Sequence, residues 1–216
     1  MNKIITILSL TLLSFMPAYA GVNIGASMNA GVFHGTGEEN ENGEKSREDA
    51  TGAAAYASVF VEAGGERFAI GIDYVPQGLE SETAETVVDD IKDKADDGAS
   101  TRQTNKVQVD FEDLTTLYVS LNLTENFYVK AGIVQVDVIT KESLGTGSQY
   151  GNGDLDGTMY GVGYHSEFGN GMFARIEGSV MDLGGQKLTS STNSDNTVEL
   201  KDVVGATGRI SIGKSF

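Results

Sequence analysis

His165, Ser166 and Glu167 stand side by side in the segment Tyr-His-Ser-Glu-Phe. These are the residue types of a hydrolase: a hydroxyl nucleophile, a base to take its proton, and a carboxylate to orient the base. That chemistry needs base and nucleophile within hydrogen-bond reach. In an extended chain, adjacent side chains point to opposite faces, so a strand here would separate His165 from Ser166. His34, the other histidine, lies at the mouth of a polar stretch and has no partner in its neighbourhood of the sequence. Asn152-Gly153-Asp154-Leu155-Asp156-Gly157 spaces oxygen ligands like the first half of a calcium loop, but Gly163 holds the place of the closing acid. An ordinary polar loop is the expectation there.

The elements that would position these residues are strands. Apolar and polar residues alternate over roughly 22–34, 51–62, 67–76, 107–123, 127–139, 157–168, 172–182 and 201–216. The connections alternate in length. Ala63–Glu66, Thr124–Asn126 and Gly169–Gly171 are tight, whereas 34–50, 77–106, 140–156 and 183–200 are long and polar. Within the second long connection, Glu85 to Lys92 reads as a short helix with one weak apolar face.

Tight turns fix register. The turn at Thr124–Asn126 sets Ser120 opposite Lys130 and Tyr118 opposite Gly132, and the turn at Gly169–Gly171 sets His165 opposite Arg175 and Tyr164 opposite Ile176. A four-residue first turn pairs Val61 with Phe68 and Val59 with Ile70. Each hairpin then sorts into one apolar face and one charged face. The charged face collects Arg67, Asp73, Lys130, His165, Glu167, Arg175, Glu177 and Arg209. All of these but Arg67 would form an ion-pair network if that face is interior, because buried charges require partners. The same register sets Asp113 opposite Asp137 on the apolar side, near its upper limit. They are a candidate for a bridging divalent cation, against the plainer reading of a screened like-charge pair.

A soluble barrel turns its apolar face inward, as a lipocalin-like ligand carrier does; a membrane barrel turns it to lipid. The sorted loops favour the second. So do the aromatics, because Phe68, Phe127, Phe168 and Phe216 all fall at the short-turn end on the apolar face. The chain closes with the alternating Arg-Ile-Ser-Ile-Gly-Lys-Ser-Phe, ordered in pattern to its last residue. At the other end, residues 1–20 have Lys3, an apolar run from Ile4 to Phe15 and Ala18-Tyr19-Ala20. They read as a secretory signal peptide cleaved after Ala20, too short for a spanning helix. Residues 21–216 then form one barrel domain.

The chain has no cysteine, 28 glycines and a net charge of −16. Such acidity argues against nucleic acid as a partner, since that binding rests on cations neutralising phosphates. Much of the acid lies in the long connections: residues 35–50 hold six acids and two bases, and 77–106 hold eight and four. No segment calls for a cofactor.

Leu123-Thr-Glu-Asn-Phe-Tyr-Val-Lys-Ala-Gly132, Gly161-Val-Gly-Tyr164 before its glycine-rich turn, and the ending Ile210…Ile212…Phe216 resemble the small eight-stranded outer-membrane barrels, the OmpA-membrane-domain and OmpX-like family. The resemblance implies an all-β, eight-stranded, antiparallel up-and-down transmembrane barrel with short periplasmic turns and long extracellular loops. It implies residence in the outer membrane among phospholipid and lipopolysaccharide. It also implies handling by periplasmic chaperones and by the barrel-assembly machinery, which reads Ile210, Ile212 and Phe216 as an insertion signal. Lys214 departs from that pattern, standing where an apolar residue is usual. The expected function is a non-enzymatic scaffold displaying acidic loops around a filled lumen. A narrow channel is the alternative, and a lipid A-modifying enzyme is a more distant one.

Overall fold

A computed structural model describes residues 21–41, 44–80, 84–90, 101–144 and 148–216; the signal-peptide reading of residues 1–20 lies outside them. The described residues form strands and no helix: β1 (Gly21–Glu41), β2 (Glu44–Gly64), β3 (Phe68–Tyr74), β4 (Leu79–Glu80), β5 (Ala84–Asp90), β6 (Thr101–Asn122), β7 (Phe127–Ser143), β8 (Gly153–Phe168), β9 (Met172–Asp182), β10 (Gln186–Thr189) and β11 (Thr197–Ser215). Eight of them make an antiparallel ring in the order β1, β2, β3, β6, β7, β8, β9, β11, and β1 pairs with β11 to close it. The last residue takes part: Phe216 N–H donates to Val22 C=O (2.9 Å) and its carbonyl accepts from Val22 N–H (3.2 Å).

The alternation behaves as its pattern dictates. Along β11, Val204, Ile210 and Ile212 face outward and exposed, with Ile210 64 % exposed, while Val203, Thr207, Arg209 and Ser211 face inward and buried. Phe68, Leu123, Phe127, Phe168 and Phe216 make an exposed outward collar at the short-turn end. Lys214 also points outward, its Nζ 5.1 Å from the centre of the Phe216 ring. It therefore joins the collar by a cation–π contact, the geometry in which a long side chain keeps its ammonium at an interface.

Two of the three expected hairpin registers are observed, with Ser120 opposite Lys130 and His165 opposite Arg175. The Thr124 hydroxyl holds the first of these turns by accepting from Phe127 N–H (2.9 Å). In the second, Asn170 and Gly171 take φ of 69° and 74°, a left-handed conformation that these two types tolerate best. The β2–β3 hairpin differs. Gly65 N–H donates to Phe68 C=O (3.0 Å), leaving only Glu66 and Arg67 at the turn, and Val61 pairs with Ile72 instead of Phe68. The strands run further than the alternation suggested. Arg67 stands exposed in the turn and not on the charged face.

The long connections are also more regular than polar loops. β1 and β2 continue as one ladder to Glu41–Glu44, β10 adds to β11, and β4 and β5 add to β6. The stretch read as a helix from Glu85 is therefore strand over its described part; Ile91 and Lys92 lie outside the described residues. Hydrogen-bond demand explains the difference, since a weakly amphipathic segment beside an open strand edge gains more from pairing than from a solvated helix.

Two ion pairs and a hydroxyl–carboxylate hydrogen bond hold this outer extension. Lys201 donates to Glu38 (2.7 Å), Thr36 to Asp49 (2.7 Å), and Lys141 pairs with Asp110. Those hydrogen bonds hold the carboxyls of Glu38, Asp49 and Asp110 below their ordinary range. A lowered carboxyl takes its proton later in the folded chain than in the unfolded one. It therefore stabilises above the ordinary carboxylate range and loses that contribution as pH falls through its lowered value. Acidification from neutrality to about pH 3 should lower the protection factors, exchange measured relative to the intrinsic rate at each pH, of the amides at residues 36–40 and 197–201. Unchanged protection at these residues would show that the pairs do not hold the extension.

Candidate functional site

The ring positions two layers of inward side chains. Nearer the short turns lie three ion pairs. Arg209 on β11 reaches Asp73 on β3, Lys130 on β7 meets Glu177 on β9 (3.2 Å), and Arg175 on β9 meets Glu62 on β2 (2.5 Å). Each joins strands that are not neighbours, so the pairs span the lumen. Further groups complete their coordination. Ser58 donates to Asp73 (3.3 Å), Tyr128 donates to Glu177 (2.9 Å), and Arg209 Nε donates to Ser27 (2.9 Å). Aromatic faces take the cations: Lys130 Nζ lies 3.8 Å from the Tyr118 ring centre and the Arg175 guanidinium 4.6 Å from that of Phe173. Phe173 is 0 % exposed. Tyr128 fits because β8 carries Gly163 beside it; a Cβ there would stand 2.3 Å from the tyrosine ring.

Further from the short turns the interior is apolar. Val75, Leu114, Tyr56, Val134, Val136, Val138, Leu155, Met159, Met181, Leu183 and Val203 form one buried cluster that continues down to Tyr118 beside Lys130, with Phe33 packed against it. Between the layers, a cavity of about 20 Å³ is lined by Asp73, Lys130, Glu177 and Arg209 on one side and Leu114, Met159 and Met181 on the other. That is room for a single water.

Six of the expected lumen residues, Asp73, Lys130, His165, Arg175, Glu177 and Arg209, do come together inside. Glu167 does not. Its side chain is 69 % exposed at the mouth, where it meets His165 Nε2 at 3.3 Å. The partner of Arg175 is Glu62, which the sequence reading missed. With a four-residue first turn Glu62 falls at the rim; the observed two-residue turn sets it opposite Gly71, inside the lumen. Parity with Ser58 and Phe60 was the signal available, since all three share a face.

His165 Nδ1 accepts from Arg175 Nε (3.0 Å), and Ser166 lies on the next, oppositely directed position. No nucleophile–base pair forms there. His34 faces outward and its Nδ1 lies 3.0 Å from the Thr51 hydroxyl. The half-calcium segment runs as strand from Gly153, and Asn152 Oδ1 accepts from Thr140 N–H (3.3 Å).

Asp113 and Asp137 are not opposite each other. A bulge between Glu112 and Thr115 shifts the register, so that Asp137 faces Glu112. Asp113 sits in the bulge with φ 53°, and its carboxylate accepts from the Tyr74 hydroxyl (2.7 Å). Among the described residues no cluster of three or more His, Asp or Glu could hold a metal ion.

Arg175→Ala should destabilise the barrel by about 3–5 kcal/mol, because it strands the Glu62 carboxylate. Removing Arg175 and Glu62 together should cost less than the sum of the single changes. Glu167→Gln should stay within about 0.5 kcal/mol, as exposed substitutions do. Urea unfolding of the detergent-folded protein reads all three; additive losses for Arg175 and Glu62 would contradict the pairing.

No family model matches the chain, and no curated protein matches it. Solved structures do. The outer membrane protein OprG from Pseudomonas aeruginosa is similar over 91 % of this chain and 96 % of its own, at 11 % identity and a TM-score of 0.57. The outer membrane protease OmpT from Escherichia coli matches over 91 % and 97 %, at 8 % identity and a TM-score of 0.44. Neisserial surface protein A matches over 88 % and 97 %, at 9 % and 0.38. With the closed ring of eight antiparallel strands, the likeness to OprG shows that this chain has the fold of the small outer-membrane β-barrels.

Proposed function

We propose that this protein is a closed outer-membrane scaffold that holds acidic extracellular hairpins on a rigid barrel for contact with a partner outside the cell. The observation that carries this reading is the filled lumen: three ion pairs and an apolar cluster occupy it, and the cavity between them has room for about one water. Passage of solutes, the alternative, needs this filled lumen to open. A non-enzymatic role is supported by the engagement of His165 with Arg175 and Glu167, away from Ser166. The outward apolar belt suits phospholipid and lipopolysaccharide. Ile210, Ile212 and Phe216, exposed on the final strand, suit recognition by periplasmic chaperones and the barrel-assembly machinery.

Single-channel recording in planar bilayers tests the closed scaffold. The wild type should give no steady conductance, and a reproducible open level would favour the channel. Lipid A mass spectra should be identical with and without the protein; a new modified species would restore the enzyme reading. Deleting Phe216 removes the last ladder bonds to Val22 as well as the terminal aromatic. The truncated chain should accumulate in the periplasm, and its recovery in outer membranes at normal yield would contradict the insertion-signal role.

A further inference from the structure

The charged residues of the lumen and its apolar girdle lie at different levels along the barrel axis, with the rings of Tyr128 and Phe173 packed among the charges. Where a strand carries both, the charged residue is nearer the periplasmic turns: Glu62 lies below Tyr56, Lys130 below Val134, Glu177 below Met181, and Arg209 below Val203. The charged layer has an outlet. Arg175 and His165 are partly exposed at the periplasmic mouth, and Glu167 stands in solvent there. Inward, that layer ends at the 20 Å³ cavity, whose roof is apolar. Above it seven of the barrel strands, or the residue just after them, contribute to one buried apolar girdle and β1 packs the half-buried Phe33 against it; Val136 and Leu155, paired on β7 and β8, are each 1 % exposed.

We propose that the permeability barrier of this barrel is the apolar girdle, and that the charged layer below it is a polar vestibule belonging to the periplasm alone. This rests on the closed-lumen reading. The physical reason is what each layer offers to a hydrated ion. A disrupted ion pair in the vestibule exposes groups that water or a small ion can satisfy in turn, so it changes occupancy without opening a path. At Val136 and Leu155 a passing ion would shed its hydration with nothing to replace it, and an apolar constriction of this kind excludes water itself. Access from the periplasm to Lys130 and Glu177, both buried at rest, therefore needs only the exchange of ion pairs, and it stops beneath Leu155.

Two variants separate the layers in planar bilayers. Val136→Ser with Leu155→Ser makes the girdle polar, and Arg175→Met with Glu62→Gln removes an ion pair at nearly constant volume. Folding of each is checked by its strand circular dichroism. The girdle variant should conduct at least about tenfold above the wild-type background, and the ion-pair variant should remain silent. A conducting ion-pair variant, or a folded but silent girdle variant, overturns the proposal while leaving a silent wild type consistent with the closed scaffold. A conducting wild type sinks the scaffold reading instead. Should the girdle variant not fold, accessibility decides. The chain lacks cysteine, so Ser179→Cys, beside the cavity, gives a single thiol. Silver ion, a thiol-reactive monovalent cation, should block it from the periplasmic side and not from outside; reaction from outside, or from neither side, contradicts a one-sided vestibule.

Discussion

β1 and β11 pair from Asn23–Ser215 to Asn40–Thr197, joining the first described strand to the last. In a bilayer no water satisfies a free strand edge, so a spanning sheet must close on itself. This seam creates an inside, and the other features follow from having one. Once the ring is closed, the faces of each strand meet different surroundings, and a residue's parity decides which it meets. The seam also aligns strands distant in sequence so that Arg209 finds Asp73 and Arg175 finds Glu62. Without closure these would be surface charges in water, where pairing contributes little.

Polarity then inverts along the axis. Within the belt, apolar side chains face outward and ion pairs fill the interior. Beyond it the chain must behave as an ordinary soluble protein, with its apolar residues inside. Two bulges make that change possible. At Asp113 and Asp202, both with positive φ, the strand phase shifts by one residue. On β6 the shift turns Phe111 toward the buried cluster and sends Glu112 and Asp110 to the other face. On β11 it does the same for Leu200 against Lys201 and Glu199. Strict alternation would have driven acids and a lysine into the apolar layer.

The legible part of the sequence was the part governed by period and tight turns. Where a turn carries its own chemistry, as Thr124 does or Asn170-Gly171, register follows from the residues and the pairing Ser120–Lys130 or His165–Arg175 comes out correctly. The Gly-Gly-Glu-Arg turn has no such marker. A two-residue and a four-residue closure preserve the same parity, so the faces came out right while Glu62 was set at the rim and its partnership with Arg175 was lost. Bulges are less visible still. Asp113 is a plain aspartate in an alternating run, and nothing in its neighbours announces a left-handed residue, so Asp137 was matched to it instead of to Glu112. The strands beyond the belt were hidden for a different reason: with no lipid on one side, their residues alternate weakly and resemble loop. The apolar girdle is hidden with them, because Val134 and Val136 share the parity of Lys130, whose face carries the charges.

Everything in this architecture depends on which side of the wall is lipid. Nitroxide labels placed singly along β11 and scanned for oxygen and nickel-chelate accessibility in bilayers would read this directly. Labels at Val204, Ala206, Gly208, Ile210 and Ile212 should be oxygen-accessible and shielded from the chelate, alternating with protected sites. The phase should reverse past Asp202, leaving Lys201 and Glu199 open to the chelate. Chelate access along the even positions from Val204 to Ile212 would make this a water-soluble barrel and contradict the account.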